Sequence, residues 1–207
     1  MKNIDYFRIL TDEIHTTIIA TVDKNGLPST RVIDIMLYDE KGIYFLTAKG
    51  KLFYQQLKTK PYISVSAVTS GKNSMDKKSI TISGAIKNIG TKKLDKIFKK
   101  NTYMAEIYPT IKSRKALEVF CLYKGHGEYF DLSTKPITRG DFSFGGEKNK
   151  KYGYQILNNC IRCGKCIPVC PQNCIEKGTP YIINQENCLH CGNCLDVCTV
   201  NAILKLN

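Results

Sequence analysis

The sequence predicts a mainly β barrel with a few helices, followed by a small α+β module built from two copies of one half. Three observations carry this. Short β-branched or alternating segments separated by tight turns run from Thr16 to about residue 132. The pattern then breaks over residues 136–154, where Pro136, Gly140, Gly145-Gly146 and the run Glu147-Lys148-Asn149-Lys150-Lys151 read as a linker. Beyond it a cysteine-rich segment that starts at Cys160 recurs at Cys188, 28 residues on. The expected division is residues 1–135 for the barrel, 136–154 for the linker and 155–207 for the duplicated module.

Taken in order, Ile4, Phe7 and Leu10 or Ile14 fall on one side of an amphipathic helix over 3–14. TTIIATVD is a short strand, and Asn25-Gly26 supplies a hairpin turn into STRVIDIMLYD. Glu40-Lys41-Gly42 turns again into GIYFLTA, and KLFYQQLK gives one or two helical turns ended by Pro61. In YISVSAV the residues Ile63, Val65 and Ala67 alternate with serines, and SITISGAIKNI repeats the period with Ile80, Ile82 and Ile86. Thr91 to Lys100 reads as an amphipathic helix with Thr91 as N-cap. ALEVFCLYKG and HGEYFDLS read as a final hairpin, so six or so strands make a small antiparallel barrel.

Composition narrows the function. The 207 residues are 43% hydrophobic, enough for a packed core, with no run of 18 apolar residues and an N-terminus too polar for a signal peptide. A cytoplasmic, non-membrane protein is expected, and the ten cysteines are therefore read as thiols rather than disulfides. The net charge is +13, but 26 of the 31 basic residues are scattered lysines, so nucleic acid is not an expected partner. Residues 1–151 hold 27 basic and 15 acidic side chains, against four and three in residues 152–207.

Each repeat carries C-x2-C-x2-C-x3-C: Cys160, Cys163, Cys166 and Cys170, then Cys188, Cys191, Cys194 and Cys198. Cubane clusters need four soft thiolates at tetrahedral corners, and three cysteines at two-residue gaps wrap one face of a cluster. Zinc sites use two separated C-x2-C pairs and have no use for the third cysteine. Cys174 is set aside as a ligand, because its repeat partner is Ala202; it and Cys121 are expected in the core. His15, His126 and His190 read as structural or surface residues, with His15 placed to border a cofactor.

Residues 155–206 resemble bacterial two-cluster ferredoxins, down to Pro171 after the fourth cysteine; Thr199 departs from that pattern. In such ferredoxins the fourth cysteine serves the other cluster. The resemblance thus implies two 4Fe–4S clusters, one on Cys160, Cys163, Cys166 and Cys198, the other on Cys188, Cys191, Cys194 and Cys170.

Residues 16–132 resemble the FMN-binding split barrel of the pyridoxamine 5′-phosphate oxidase-like family, through ATVDKNGLP, RVIDIML and YFLTAKGKLFYQQLKTKPYISVS. The resemblance implies a mainly β split barrel, FMN as cofactor, and a homodimer with flavin at the subunit interface. It places Arg31 at the ribityl chain or the phosphate, the backbone groups of Val32, Ile33 and Asp34 along the ring edge, Leu46 at the flavin, and Thr47, Lys49 and Lys51 around its phosphate. A strand-to-helix turn with cations, a hydroxyl and free amides suits a phosphate. Where the family's oxidases carry an Arg-Lys pair, this chain has Leu52-Phe53, which argues against the oxidase reaction itself.

The expected protein is thus an iron–sulfur flavoprotein that passes electrons between two clusters and FMN, as an oxidoreductase of unspecified substrate served by a redox partner protein or a small-molecule donor or acceptor. The alternative is a non-enzymatic carrier or redox sensor binding flavin, haem or deazaflavin.

Overall fold

The computed structural model describes residues 1–149 and 152–206. Its contacts divide the chain into two compact units. One comprises Met1–Ser70, Ser79–Tyr129 and Phe142–Lys148; the other comprises Gly71–Lys78, Phe130–Asp141 and the described residues from Asn149 onward.

The first unit begins with helix α1 (Asn3–Arg8), which loosens into a π-helical stretch over Ile9–Ile14. Phe7 and Leu10 face the core as the helical spacing predicts. Then come β1 (Thr16–Val22), β2 (Pro28–Asp34), β3 (Leu37–Asp39), β4 (Gly42–Ala48), helix α2 (Leu52–Thr59), β5 (Tyr62–Val68) and β6 (Lys78–Gly90). Helices α3 (Leu94–Lys100), α4 (Met104–Ile107) and α5 (Ile111–Arg114) precede β7 (Leu117–Asp131) and β8 (Thr138–Phe144). The sheet runs β2-β1-β5-β6-β7-β4-β3, with β8 also pairing β7. At the first hairpin Gly26 sits at φ +82, and Asp23 Oδ1 accepts from the amides of Asn25 (2.8 Å) and Leu27 (2.9 Å).

Strands β4 and β7 are buried on both faces because each separates two cores. Ile43, Phe45, Phe120 and Leu122 point into one cluster of buried side chains; Tyr44, Leu46, Val119 and Cys121 point into the other. The apolar run GIYFLTA therefore lacks the alternation of a half-exposed strand.

Three expectations are corrected. The final hairpin is one strand of 15 residues. Gly125 and Gly127 read as a turn, but Gly125 instead lets β7 lie against Gly84 of β6, where a Cβ on either residue would overlap the other strand's backbone carbonyl. The segment 136–154 contains β8 and the first two residues of β9 (Gly153–Ile156); Phe142 of β8 stacks on Tyr6 at 4.1 Å, and Lys150 and Lys151 lie outside the described residues. Helix α3 starts at Leu94 with Lys93 as its N-cap, in place of Thr91.

In the second unit β9 pairs with β12 (Ile203–Leu206), and β10 (Ile175–Glu176) with β11 (Ile182–Ile183); helix α6 (Asn193–Asp196) is one turn. Tyr154, Ile156, Ile175, Tyr181, Ile183 and Ile203 form its core with the buried cysteines. The repeat is visible in the backbone. Arg162, Gly164 and Asn173 have φ of 58°, 78° and 50°, and their partners His190, Gly192 and Asn201 have 56°, 87° and 50°. Three left-handed residues recurring at one period mean that both cysteine loops are wound the same way.

Candidate functional site

The second unit holds two hollows, and the lining of each includes four cysteines in the combination the repeat implies. One is lined by Cys188, Cys191 and Cys194 together with Cys170 from the other repeat. The second is lined by Cys160, Cys163 and Cys166 together with Cys198. Their empty volumes are about 320 and 340 Å³. Among the described residues no three Cys, His, Asp or Glu side chains gather on a single-ion position; the thiols surround a space instead.

The backbone aims donors at the crossing cysteines. The amide of Cys174 donates to Cys170 Sγ at 3.4 Å, and that of Ala202 to Cys198 Sγ at 3.2 Å. Both fourth cysteines begin the same turn, the amides of Asn173 and Asn201 donating to the carbonyls of Cys170 and Cys198. Thr199 therefore keeps the local turn without the proline found at Pro171. Burial pushes the thiols of Cys166 and Cys188 up and that of Cys194 to about 11. At Cys170 burial acts the same way, but donation from the amides of Cys174, Gln172 and Asn173 and from the Cys174 thiol outweighs it and holds the group below the usual thiol range. Thiols with these donors and this spacing fit a cubane cluster.

Cys174 has a place the spacing argument did not give it. It is buried, as expected, but its Sγ lies 3.4 Å from Cys170 Sγ and it lines the same hollow. Ala202 occupies the equivalent position in the second hollow.

The first unit assembles much of the expected phosphate turn. Arg31 on β2 and the turn after β4 are joined through α2, although their strands are not neighbours in the sheet. The Arg31 guanidinium lies 4.3 Å over the Phe53 ring and donates to Thr21 Oγ1 (2.7 Å), Ser29 Oγ (2.7 Å) and Gln56 Oε1 (2.8 Å). Partial burial lowers its pKa. Phe53 in turn stacks on Phe45 of β4, ring centroids 5.9 Å apart.

Thr47 is 3% exposed, and its hydroxyl has no hydrogen-bond partner among the described residues; the Gln56 side-chain amide nitrogen is buried and equally unpartnered. Buried polar atoms without partners are uncommon, and a bound water or ligand is the ordinary way they are satisfied. Lys49 and Lys51 are exposed on the turn, Lys51 at the N-cap of α2, which no side chain caps. Cations, an orphaned hydroxyl and an uncapped helix start fit a flavin phosphate. Leu46 is core and Ile33 half-buried, whereas Val32 projects outward.

Asp34 is already engaged. Its Oδ1 accepts from Thr16 Oγ1 at 2.8 Å, and its Oδ2 from the Tyr103 hydroxyl at 2.6 Å, with His15 Nε2 at 3.5 Å. His15 Nε2 also lies 3.3 Å from the Tyr103 oxygen. Burial and Asp34 push the Tyr103 phenol well up. His15 has φ 63 and ψ −61 at the end of the π-helical stretch, a strained γ-turn geometry. Sequence spacing did not reveal this network, since Tyr103 lies 69 residues from Asp34.

The fold and the hollows define an iron–sulfur redox protein whose barrel is of a flavin-binding type. The model of the pyridoxamine 5′-phosphate oxidase family matches residues 6–123, more than half the chain, and a 4Fe–4S dicluster domain matches residues 159–202. The chain belongs to the pyridoxamine 5′-phosphate oxidase family.

Pyridoxine/pyridoxamine 5′-phosphate oxidases are similar over a short stretch: that of Serratia proteamaculans is 43% identical over 47 residues and that of Escherichia fergusonii 40% over 48, each 23% of this chain and 22% of the relative. The matched stretch thus spans about a fifth of those enzymes. Among solved structures, a NimC/NimA family protein from Clostridium acetobutylicum aligns with a TM-score of 0.55 at 15% identity, over 70% of this chain and 95% of that one. A heme-binding protein from Mycobacterium smegmatis gives 0.53 at 12%, over 66% and 55%. These likenesses show the split-barrel fold. Among the described residues no helix is long and apolar enough to cross a membrane.

Proposed function

We propose that the chain is a cytoplasmic, homodimeric iron–sulfur flavoprotein that carries electrons between two 4Fe–4S clusters and FMN, as an oxidoreductase fed by a redox partner protein or small-molecule donor. The observation that carries this is the pair of cysteine-lined hollows, each containing the first three cysteines of one repeat and the fourth of the other. Three neighbouring thiols and one distant thiol fix a cubane only when both repeats are folded together, so cluster binding and the fold of the module are one event.

On the barrel, the Thr47 hydroxyl, the Lys49 and Lys51 ammonium groups and the α2 amides are the groups suited to the FMN phosphate. Arg31, held over Phe53 and bonded to Gln56, keeps a positive charge fixed against α2, the helix that follows this turn. FMN, when bound, supplies exchange between one-electron carriers and two-electron chemistry.

A second copy of the chain is supported by the outer face of the sheet. Across β2, β1, β5 and β6 the registered row is Val32, Ile18, Ser66, Thr81, and the next is Thr30, Ala20, Ser64, Ser83. Ile18, Val32 and Tyr62 are 51%, 66% and 51% exposed, and neither row carries a charge in a chain with 31 basic residues.

The test is anaerobic purification with iron, sulfide and flavin quantification. About eight irons and eight sulfides per chain with FMN are expected from two cubanes and one flavin. Stoichiometric zinc without iron would remove the cluster reading, and haem in place of flavin would remove the FMN reading.

A further inference from the structure

We infer that Cys174 is a thiol donor that makes the two clusters unequal, raising the reduction potential of the one held by Cys170, Cys188, Cys191 and Cys194. The inference rests on the cluster reading above. The hollow these residues line contains five thiols, one more than a cubane has corners; the other contains four, with Ala202 where Cys174 would stand.

Cys174 is 6% exposed, and its sulfur sits 3.4 Å from Cys170 Sγ. Its own amide donates to the same sulfur. Away from water, the thiol proton has cysteine sulfurs of this one cluster to point at: Cys170, and Cys188, which interacts with the Cys174 side chain as well.

Reduction adds one electron to a cluster and places more negative charge on its thiolates, while no bond forms or breaks and no proton leaves Cys174. A fixed S–H donor stabilises the reduced form more than the oxidised one, and hydrogen bonds to the sulfurs are among the established controls of cluster potential. The amide donors do not create this difference, because Cys174 N–H and Ala202 N–H serve the two crossing cysteines alike. The second hollow has its own compensation in Arg162 and Lys165, but both are exposed. Their effect weakens with salt, whereas that of a buried thiol does not.

The experiment is an anaerobic redox titration of the full chain with dithionite and mediators, followed by electron paramagnetic resonance at low and high salt. Cys174→Ala, which copies the other repeat, is expected to retain all eight irons and to lower one of the two potentials. The expected change in electron partition between the clusters is about tenfold, or about 59 mV for a one-electron couple, at both salt concentrations. Cys174→Ser, which keeps a donor, should restore most of the shift. Two unchanged potentials, or equal shifts of both, would overturn the inference, and loss of four irons would make Cys174 a ligand instead. Failure of the cluster reading is separately visible, since the unaltered protein would then show no cluster signal at all.

Discussion

Replacing Thr47 with valine separates a phosphate ligand from an ordinary buried threonine. The two side chains have nearly the same shape, and only the hydroxyl is replaced by a methyl group at the end of β4. The Thr47 hydroxyl is buried without a partner, and a buried unpaired hydroxyl costs about 1–3 kcal/mol. Without flavin, Thr47→Val should therefore leave stability unchanged or raise it by about 1 kcal/mol. With FMN the sign reverses. Hydrogen bonds to charged groups contribute about 1.5–3 kcal/mol, so FMN should bind about tenfold to a hundredfold more weakly. Riboflavin, which lacks the phosphate, should bind as before. Urea denaturation of the flavin-free protein gives the first quantity, and fluorescence titration with the two flavins gives the others. A flavin-free protein destabilised by more than 1 kcal/mol would mean that the hydroxyl is satisfied in the fold, and equal weakening of both flavins would place the phosphate elsewhere.

Four further outcomes are expected. Gly125→Ala should destabilise the protein by about 2–4 kcal/mol in urea, since its Cβ would overlap the Ser83 carbonyl across β6 and β7. Cys170→Ala and Cys198→Ala should each remove about four irons per chain, because each serves the hollow formed by the other repeat. A charge at the centre of the outer sheet face, as in Ile18→Lys, should turn a dimer into a monomer in sedimentation while leaving the far-ultraviolet spectrum unchanged. Asp34→Asn should lower the pKa of Tyr103 towards the ordinary phenol value, read by ultraviolet titration: burial still opposes ionisation, but the carboxylate that repels the phenolate is gone.

The cluster module was legible in the sequence because its chemistry is local. Ligands at two- and three-residue spacings fix the loop winding, and the left-handed backbone at 162, 164 and 173 recurs at 190, 192 and 201. What sequence could not supply was distance. Repeat comparison with Ala202 sets Cys174 aside, and only the fold shows that its sulfur lies against that of Cys170. The barrel was legible by alternation where one strand face is wet, as in β5. Reading failed where glycine was ambiguous, since Gly125 marks a close strand crossing rather than a turn. It failed again over residues 136–154, where glycines and charges hid the alternating Phe142 and Phe144 of β8.

The expected flavin residues divide along the same line. Thr47, Lys49 and Lys51 lie within one turn of chain, so their grouping was readable before the fold was known. That Arg31 is held against the helix following this turn is a property of α2, whose Phe53 and Gln56 contact a residue two strands away in sequence. At the pair Leu52-Phe53, which departs from the oxidases, Phe53 is the platform on which the Arg31 guanidinium lies. Leu52 is exposed and Phe53 is buried, so only the second position belongs to the core. Asp34 went the opposite way. Its carboxylate is committed to Thr16 and Tyr103 and lies beside the strained His15, which leaves only its backbone groups for the expected place along the flavin.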